Sequence, residues 1–218
     1  MLSQTAKNLV LPVVALAGAR RLRLAGGCLL LASLLTLATA AHGSQPMEDL
    51  KKSVDDGLRI LQDPHYRPAD RKAMQQQHLR QVLFRDFDFW EFSKRVLADR
   101  WGLFTDAQRS EFVDVFARFL ADHYLARLQE RYTDERVVVR GQKITAPGRA
   151  VVTSGVIWMN REFPVEVRMH ARSGKWRIYD VSVIGISAVQ IYRAQFQEIM
   201  RTHSPAQVIE LIKRRNSE

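Results

Sequence analysis

Residues 174–196 constrain the fold of this chain more than any other segment. The segment opens at a turn, Ser173-Gly174, and runs through the β-favouring residues Trp176, Ile178, Tyr179, Val181 and Val183. Gly185 interrupts the strand, and the Ser187 hydroxyl is placed to accept an orphan backbone N–H at the start of a helix. Val189, Tyr192, Phe196 and Ile199 then recur at helical spacing, so one apolar ridge turns inward. A strand that hands over directly to an amphipathic helix leaves that helix little freedom. It must fold back on an apolar surface, which the rest of the chain has to supply.

Upstream, the pattern is first helical and then extended. Leu50, Val54, Leu58 and Leu61 recur at steps of four, four and three, which predicts an amphipathic helix over 47–62 with Lys51, Lys52, Asp55 and Asp56 on its polar face. Asp63-Pro64 and Arg67-Pro68 separate it from a second helix over 70–85. Asp88 is placed to cap a third helix that reaches about Arg100 and buries Phe89, Phe92, Val96 and Leu97, with Trp101 and Gly102 in the loop that follows. Thr105 and Gln108 have capping-box spacing. Phe112, Phe116, Phe119, Leu120, Tyr124 and Leu128 then give a long helix an aromatic inner face.

After Tyr132 the period shortens to that of strands. The predicted strands are 136–140, 150–159, 162–171 and the segment that begins at Gly174, joined at Pro147-Gly148, Asn160-Arg161 and Ser173-Gly174. In the third strand Phe163, Val165, Val167 and Met169 alternate with Glu166, Arg168 and His170; in the fourth, Tyr179, Val181 and Val183 share one face and Asp180 the other, within reach of Arg193. Short links make neighbouring strands antiparallel. Two closing helices cover about 187–201 and 205–214. The fold class is therefore α+β, a four-stranded antiparallel curved sheet covered by helices on one face.

The first forty residues have a different character. Arg20, Arg21 and Arg23 precede an uncharged apolar run from Leu24 to Ala38, and Ala38-Thr39-Ala40 fits the small-x-small rule for signal peptidase. We expect a Sec signal peptide over 1–40, a linker over 41–46 and one domain over 47–215; an uncleaved anchor is the competing reading, since Leu24 to Ala41 is about long enough to span a bilayer. A further apolar run, Leu9 to Ala19, lies ahead of the arginines and fits a start codon assigned too far upstream. Cys28 is the only cysteine and lies within the signal, so no disulfide or thiolate metal site is expected in the exported domain. Loss of Lys7, Arg20, Arg21 and Arg23 lowers the net charge from +10 to +6. That excess, interspersed with acids, suits anionic headgroups or acidic protein surfaces. It carries no nucleic-acid motif, and no nucleic-acid partner is expected.

Phe87-Asp88-Phe89, Trp101, Thr105, Gln108-Arg109, Phe112 and Phe116 mark the first half of the domain; Gly174, Trp176, Tyr179-Asp180-Val181, Gly185, Ser187, Tyr192-Arg193 and Phe196 mark the second. In this order and on these elements they resemble the MlaC family, also called toluene-tolerance auxiliary proteins, over most of 47–214. The chain departs from the family pattern at Ala98, where a glycine is usual, at Ile184, where an acidic residue is usual, and at Ile191, where asparagine is frequent. The departures leave the subfamily and the lipid open.

The resemblance implies a periplasmic carrier that holds phospholipid acyl chains in an apolar pocket between sheet and helices. Such a carrier passes lipid between an inner-membrane ABC transporter with an MCE-domain ring and an outer-membrane lipoprotein–porin complex, so maintaining outer-membrane lipid asymmetry. It implies no cofactor; a hopanoid-binding relative is an alternative. The residues expected to line the pocket are Phe112, Phe116, Phe119, Leu120, Tyr124, Val165, Val167, Met169, Tyr179, Val181, Val183 and Tyr192. Taken one at a time, each reads more readily as plain core, and only the family resemblance lifts the set above that.

The competing class is a small hydrolase or isomerase in which His170, oriented by Asp180, acts as base. The six histidines (His42, His65, His78, His123, His170, His203) form no i,i+4 pair, and no Gly-x-Ser-x-Gly elbow or glycine-rich phosphate loop is present. A structural adaptor for an envelope complex is a third class.

Overall fold

The computed structural model describes residues 45–216. The expected signal peptide, its cleavage site and Cys28 lie outside the described residues. Among the described residues no helix is long and apolar enough to cross a membrane.

Four helices come first: α1 (Pro46–Gln62), α2 (Lys72–Asp86), α3 (Phe89–Leu97) and α4 (Asp106–Arg131). Proline in the first turn of α1, with Glu48 and Asp49 beside it, suits a helix N-terminus, where a missing N–H costs nothing and negative charge is favoured. Asp88 caps α3 through the Glu91 N–H at 2.9 Å. The capping box of α4 closes in both directions, Gln108 N–H to Thr105 at 3.2 Å and Thr105 N–H to Gln108 at 3.0 Å.

The third helix ends three residues earlier than the pattern predicts. Ala98 has φ +48°, a conformation that suits glycine, and Trp101 and Gly102 fall in a 3₁₀ turn over Ala98–Leu103 rather than in a loop. The glycine usual in the family would adopt that backbone without strain.

The sheet is a meander in which each strand pairs with the next: β1 (Arg136–Ala146), β2 (Arg149–Trp158), β3 (Arg161–Arg172), β4 (Lys175–Val183) and β5 (Ile186–Ser187). It has five antiparallel strands, one more than expected, because Ile186 and Ser187 turn back onto Val183 and Ser182 before the next helix begins. β1 also runs six residues past its predicted end. Gly141 to Ile144 pair in register with Thr153 to Ala150, a cross-strand choice that a polar local sequence conceals.

Three of the links, Met159-Asn160, Ser173-Gly174 and Ile184-Gly185, are two-residue turns with both residues at positive φ. That geometry matches the right-handed twist of the strands. Two further helices, α5 (Ala188–Ile199) and α6 (Pro205–Arg215), end the described chain.

One face of the sheet is apolar and lies under α1. Leu50 is buried there with Val152, Val165, Val167 and Met169, and Val139, Val156, Ile178, Val181 and Val183 adjoin them. The opposite face carries Glu166, Arg168 and His170, as the alternation in β3 requires. Alternation fails in β4. A bulge leaves Tyr179 unpaired between Asp180 and Ile178, the partners of Arg168 and Met169, so Tyr179 leaves the face of Val181 and Val183. The one-face assignment of Tyr179, Val181 and Val183 is thereby corrected.

The bulge delivers Asp180 to a buried position at the entry to α5. Its carboxylate accepts from the Ser187 hydroxyl at 2.7 Å, from the Val189 N–H at 3.1 Å and from Arg168 at 3.1 Å. Ser187 in turn accepts from the Gln190 N–H, the cap its sequence position predicts. Arg193 is not the partner of Asp180. It donates twice to the Arg95 carbonyl and ties α5 to the end of α3.

A second buried carboxylate joins α3 to the sheet. Asp88 accepts from His170 at 3.0 Å and from Arg172 at 2.8 Å, while its own N–H donates to the Ile178 carbonyl. Burial pushes its carboxyl pKa up, but the Glu91 N–H, Arg172 and His170 outweigh burial and leave it below the ordinary carboxylate range.

Three outcomes follow from these contacts. Ala98→Gly should raise stability by about 1 kcal/mol by relieving the positive φ, read as a later midpoint in urea. Asp180→Ala should cost about 2–4 kcal/mol, since it strips three donors of their buried acceptor. Asp88 adds stability in full above the unfolded carboxylate pKa, and that contribution is lost as pH falls through the depressed folded value. Acid titration of Asp88→Asn should accordingly lack part of the stability loss below about pH 4 that the parent undergoes.

Candidate functional site

The residues expected to line one pocket are divided by the fold between two packed regions. Val165, Val167, Met169, Val181 and Val183 do come together, on the apolar sheet face under α1. Phe112, Phe116, Leu120 and Tyr192 belong instead to an all-helical core with Phe92, Leu97, Val189, Phe196 and Ile209, against which Phe119 is partly buried. There the rings touch each other: Phe116 lies 5.1 Å from Phe196, 5.2 Å from Tyr192 and 5.3 Å from Phe112, centroid to centroid. Tyr179 stands apart from both. Its ring lies 4.3 Å under the Arg95 guanidinium and against the edge of His170. Tyr124 is at the margin, 52 % exposed, with its hydroxyl 3.1 Å from that of Tyr192.

The sheet face has two unlike ends. At one end Val152 (0 % exposed), Met169 (1 %) and Leu50 (4 %) are sealed. Two backbone anchors hold α1 down there, Met47 N–H to the Gln142 side chain and Trp176 N–H to the Asp49 carboxylate, both 2.8 Å.

Toward the other end the same face stays half-covered. Val139, Val156, Phe163 and Val183 are all half-buried, and so are Val54 and Leu58 on the next turns of α1. The half-covered end is edged by Trp158 and Phe163, whose ring centroids are 6.4 Å apart. Such an apolar strip, sealed at one end and half-covered at the other, is a surface on which hydrocarbon is better placed than water.

Leu50, Val54, Val139, Val152 and Val156 were missed as candidates. The alternation Val152, Ser154, Val156 was a usable signal within β2. Nothing local could have said that α1 lies across that strand.

Outside the strip, α4 and α5 place four polar groups together. His123, Tyr124 and Arg127 lie on adjacent positions of one side of α4, and Tyr192 meets them from α5. Burial, then the Tyr124 hydroxyl, push the Tyr192 phenol far above its ordinary range, and Arg127 only partly offsets this. Burial, then Arg127, hold His123 below its ordinary range. At neutral pH the phenol is therefore a hydrogen-bond donor and the imidazole carries no charge.

Two surface clefts lie elsewhere. One of about 560 Å³ is lined by Leu97, Asp99, Arg100, Leu103, Gln197 and Arg201 among others, and one of about 300 Å³ by Tyr66, Arg67, Lys72, Gln75 and Tyr132 among others. Neither contains a residue expected from the sequence, and charged or amide side chains dominate both.

The base-and-orienter pair does not form. His170 bonds to Asp88 and faces Arg177 across the strands, whereas Asp180 faces Arg168. Among the described residues no three His, Cys, Asp or Glu side chains are grouped so as to hold a metal ion.

The comparisons agree with this architecture. The family model described as "MlaC protein" matches residues 51–214. A solved structure, described as the phospholipid-binding protein from Ralstonia solanacearum in complex with a phospholipid, superposes with a TM-score of 0.67. It is 21 % identical, and the match covers 80 % of this chain and 98 % of that one. No curated protein matches the chain at a significant level. With three quarters of its length inside the family model, on a fold the solved structure shares, this chain belongs to the MlaC family.

Proposed function

We propose that this protein is a periplasmic lipid carrier that lays phospholipid acyl chains along the half-covered apolar face of the sheet. The observation that carries the reading is the burial gradient from Val152 and Met169 to Val156, Phe163 and Val183. An acyl chain of about sixteen carbons costs roughly 12 kcal/mol in water at about 0.8 kcal/mol per CH₂. An aqueous gap between two membranes is therefore crossed very slowly without a carrier. A strip of branched side chains removes most of that cost and offers no polar ladder to hold the lipid irreversibly.

Membership of the MlaC family supports this reading, as does the phospholipid held by the solved relative. The exchange partners in the proposal are an inner-membrane ABC transporter with an MCE-domain ring and an outer-membrane lipoprotein–porin complex. The net effect of the exchange is to maintain outer-membrane lipid asymmetry. In this proposal the solidly packed helical core is a rigid support, and its phenylalanine rings do not line the lipid.

Lipid extraction and native mass spectrometry of the purified protein should find about one lipid per chain, and vesicle-to-vesicle transfer should accelerate when the protein is added. Val156→Asp, at the half-covered end, should lose most of the bound lipid while keeping its melting transition. Phe116→Ala should do the reverse, costing about 3–5 kcal/mol of stability while retaining lipid below its lowered melting temperature. A lipid-free protein that leaves transfer unchanged would refute the proposal.

A further inference from the structure

The carrier reading accounts for the acyl chains and leaves the polar end of the lipid unassigned. The cluster on α4 and α5 has the chemistry to meet it. Arg127 is half-buried, and among the described residues it forms no ion pair with any carboxylate. The acids nearest it on the helix do not neutralise it: Asp122 is paired with Arg80, and Glu130 points into solvent without an ion pair to Arg127. A guanidinium held partly out of water without a counter-ion is an unusual arrangement, because desolvation is costly unless an anion compensates it. Its field nonetheless reaches inward, to the Tyr192 phenol and the His123 imidazole.

The two hydroxyls add directed donors. Tyr124 and Tyr192 share one hydrogen bond of 3.1 Å, which uses one of their two protons and leaves the other for an outside acceptor. His123 lies with its ring parallel to Phe119 at 5.9 Å and edge-on to Tyr124 at 5.3 Å, closing the inner side of the cluster with an uncharged group. Tyr124 and Leu128, 52 % and 41 % exposed, leave the outer side open. In the chain Tyr192 follows the half-covered end of the strip: α5 begins directly after β5, which pairs with Val183, and Tyr192 lies in the second turn of α5.

We propose that Arg127, Tyr124 and Tyr192 form a phosphate-binding subsite, which takes the phosphodiester of a bound phospholipid. The proposal rests on the carrier reading for the source of the phosphate, but the subsite chemistry stands independently of it. Guanidinium nitrogens and a phenol hydroxyl match phosphate oxygens in number and charge, and charge-assisted bonds of this kind are the stronger class. One guanidinium at a partly open site binds firmly enough to select a headgroup and weakly enough to let it go.

The test compares two fluorescent lipids of equal chain length, a phosphatidylglycerol and an uncharged diacylglycerol, with inorganic phosphate as a third probe. In the parent protein phosphatidylglycerol should bind more tightly than diacylglycerol. Arg127→Ala should weaken phosphatidylglycerol binding by on the order of tenfold and leave diacylglycerol within about twofold, with Tyr124→Phe giving a smaller loss of the same selectivity. Both substitutions are at exposed or half-buried positions, and unchanged melting curves would certify the fold. Equal losses for the two lipids, or no loss for either, would overturn the proposal.

If the parent binds neither lipid, the carrier reading fails and the phosphate arm decides the subsite. Thermal stabilisation by millimolar phosphate that disappears in Arg127→Ala would retain an anion site for free phosphate, and no stabilisation would remove the subsite as well.

Discussion

The turn from β4 into α5 is held by a carboxylate that has almost no water around it. Asp180 has no solvent to fall back on, so each of its oxygens must find donors within the protein, and it finds Arg168, the Ser187 hydroxyl and the Val189 N–H. Those three donors belong to β3, to β5 and to the first turn of α5. One side chain thereby fixes the sheet margin and the direction in which the helix leaves it. Phe196, Tyr192 and Val189 enter the helical core only because α5 departs at that angle.

Asp88 does the same for the other chain segment that reaches the sheet margin. It caps α3, pairs with Arg172 and His170 of β3, and gives its own N–H to β4. Two buried carboxylates, each compensated on several sides, thus attach the helical half to one margin of the sheet. The apolar face needs no such fastening near Met169, where Leu50 and its neighbours seal it. Farther along it is covered only in part, and a cleft able to admit hydrocarbon is most easily formed there. Rigid attachment at the margin with loose cover over the face suits the proposed carrier role, in which the face opens without unfolding.

Much of this was legible in the chain. Helix starts were clear wherever a side chain announces them, as at Asp88, Thr105 and Ser187, because a cap is a local interaction between residues two or three apart. Turns at Ser173-Gly174 and Pro147-Gly148 were equally plain. The resemblance to the MlaC family rested on residues that the fold places at its joints, among them Asp88, Asp180, Ser187 and Arg193, and that is why the family was recognisable. The candidate lining was harder. Apolar residues on β3 and α4 carry the same local signal, yet Val167 and Phe116 ended in separate regions. Hydrophobicity says that a residue leaves water and does not say which neighbour it meets.

Local pattern alone sets the order of helices and strands, the antiparallel meander implied by short links, and the apolar faces of α1, α4, α5 and β3. These depend on periodicity and on turn chemistry, which act over a few residues. It took long-range packing to send Tyr179 through a bulge to the opposite face from Val181, to pair Asp180 with Arg168 and not Arg193, and to seal one end of the sheet under α1 while half-covering the other. Each of those outcomes is a competition among partners distant in the chain. It is settled by geometry and desolvation, which no local pattern records.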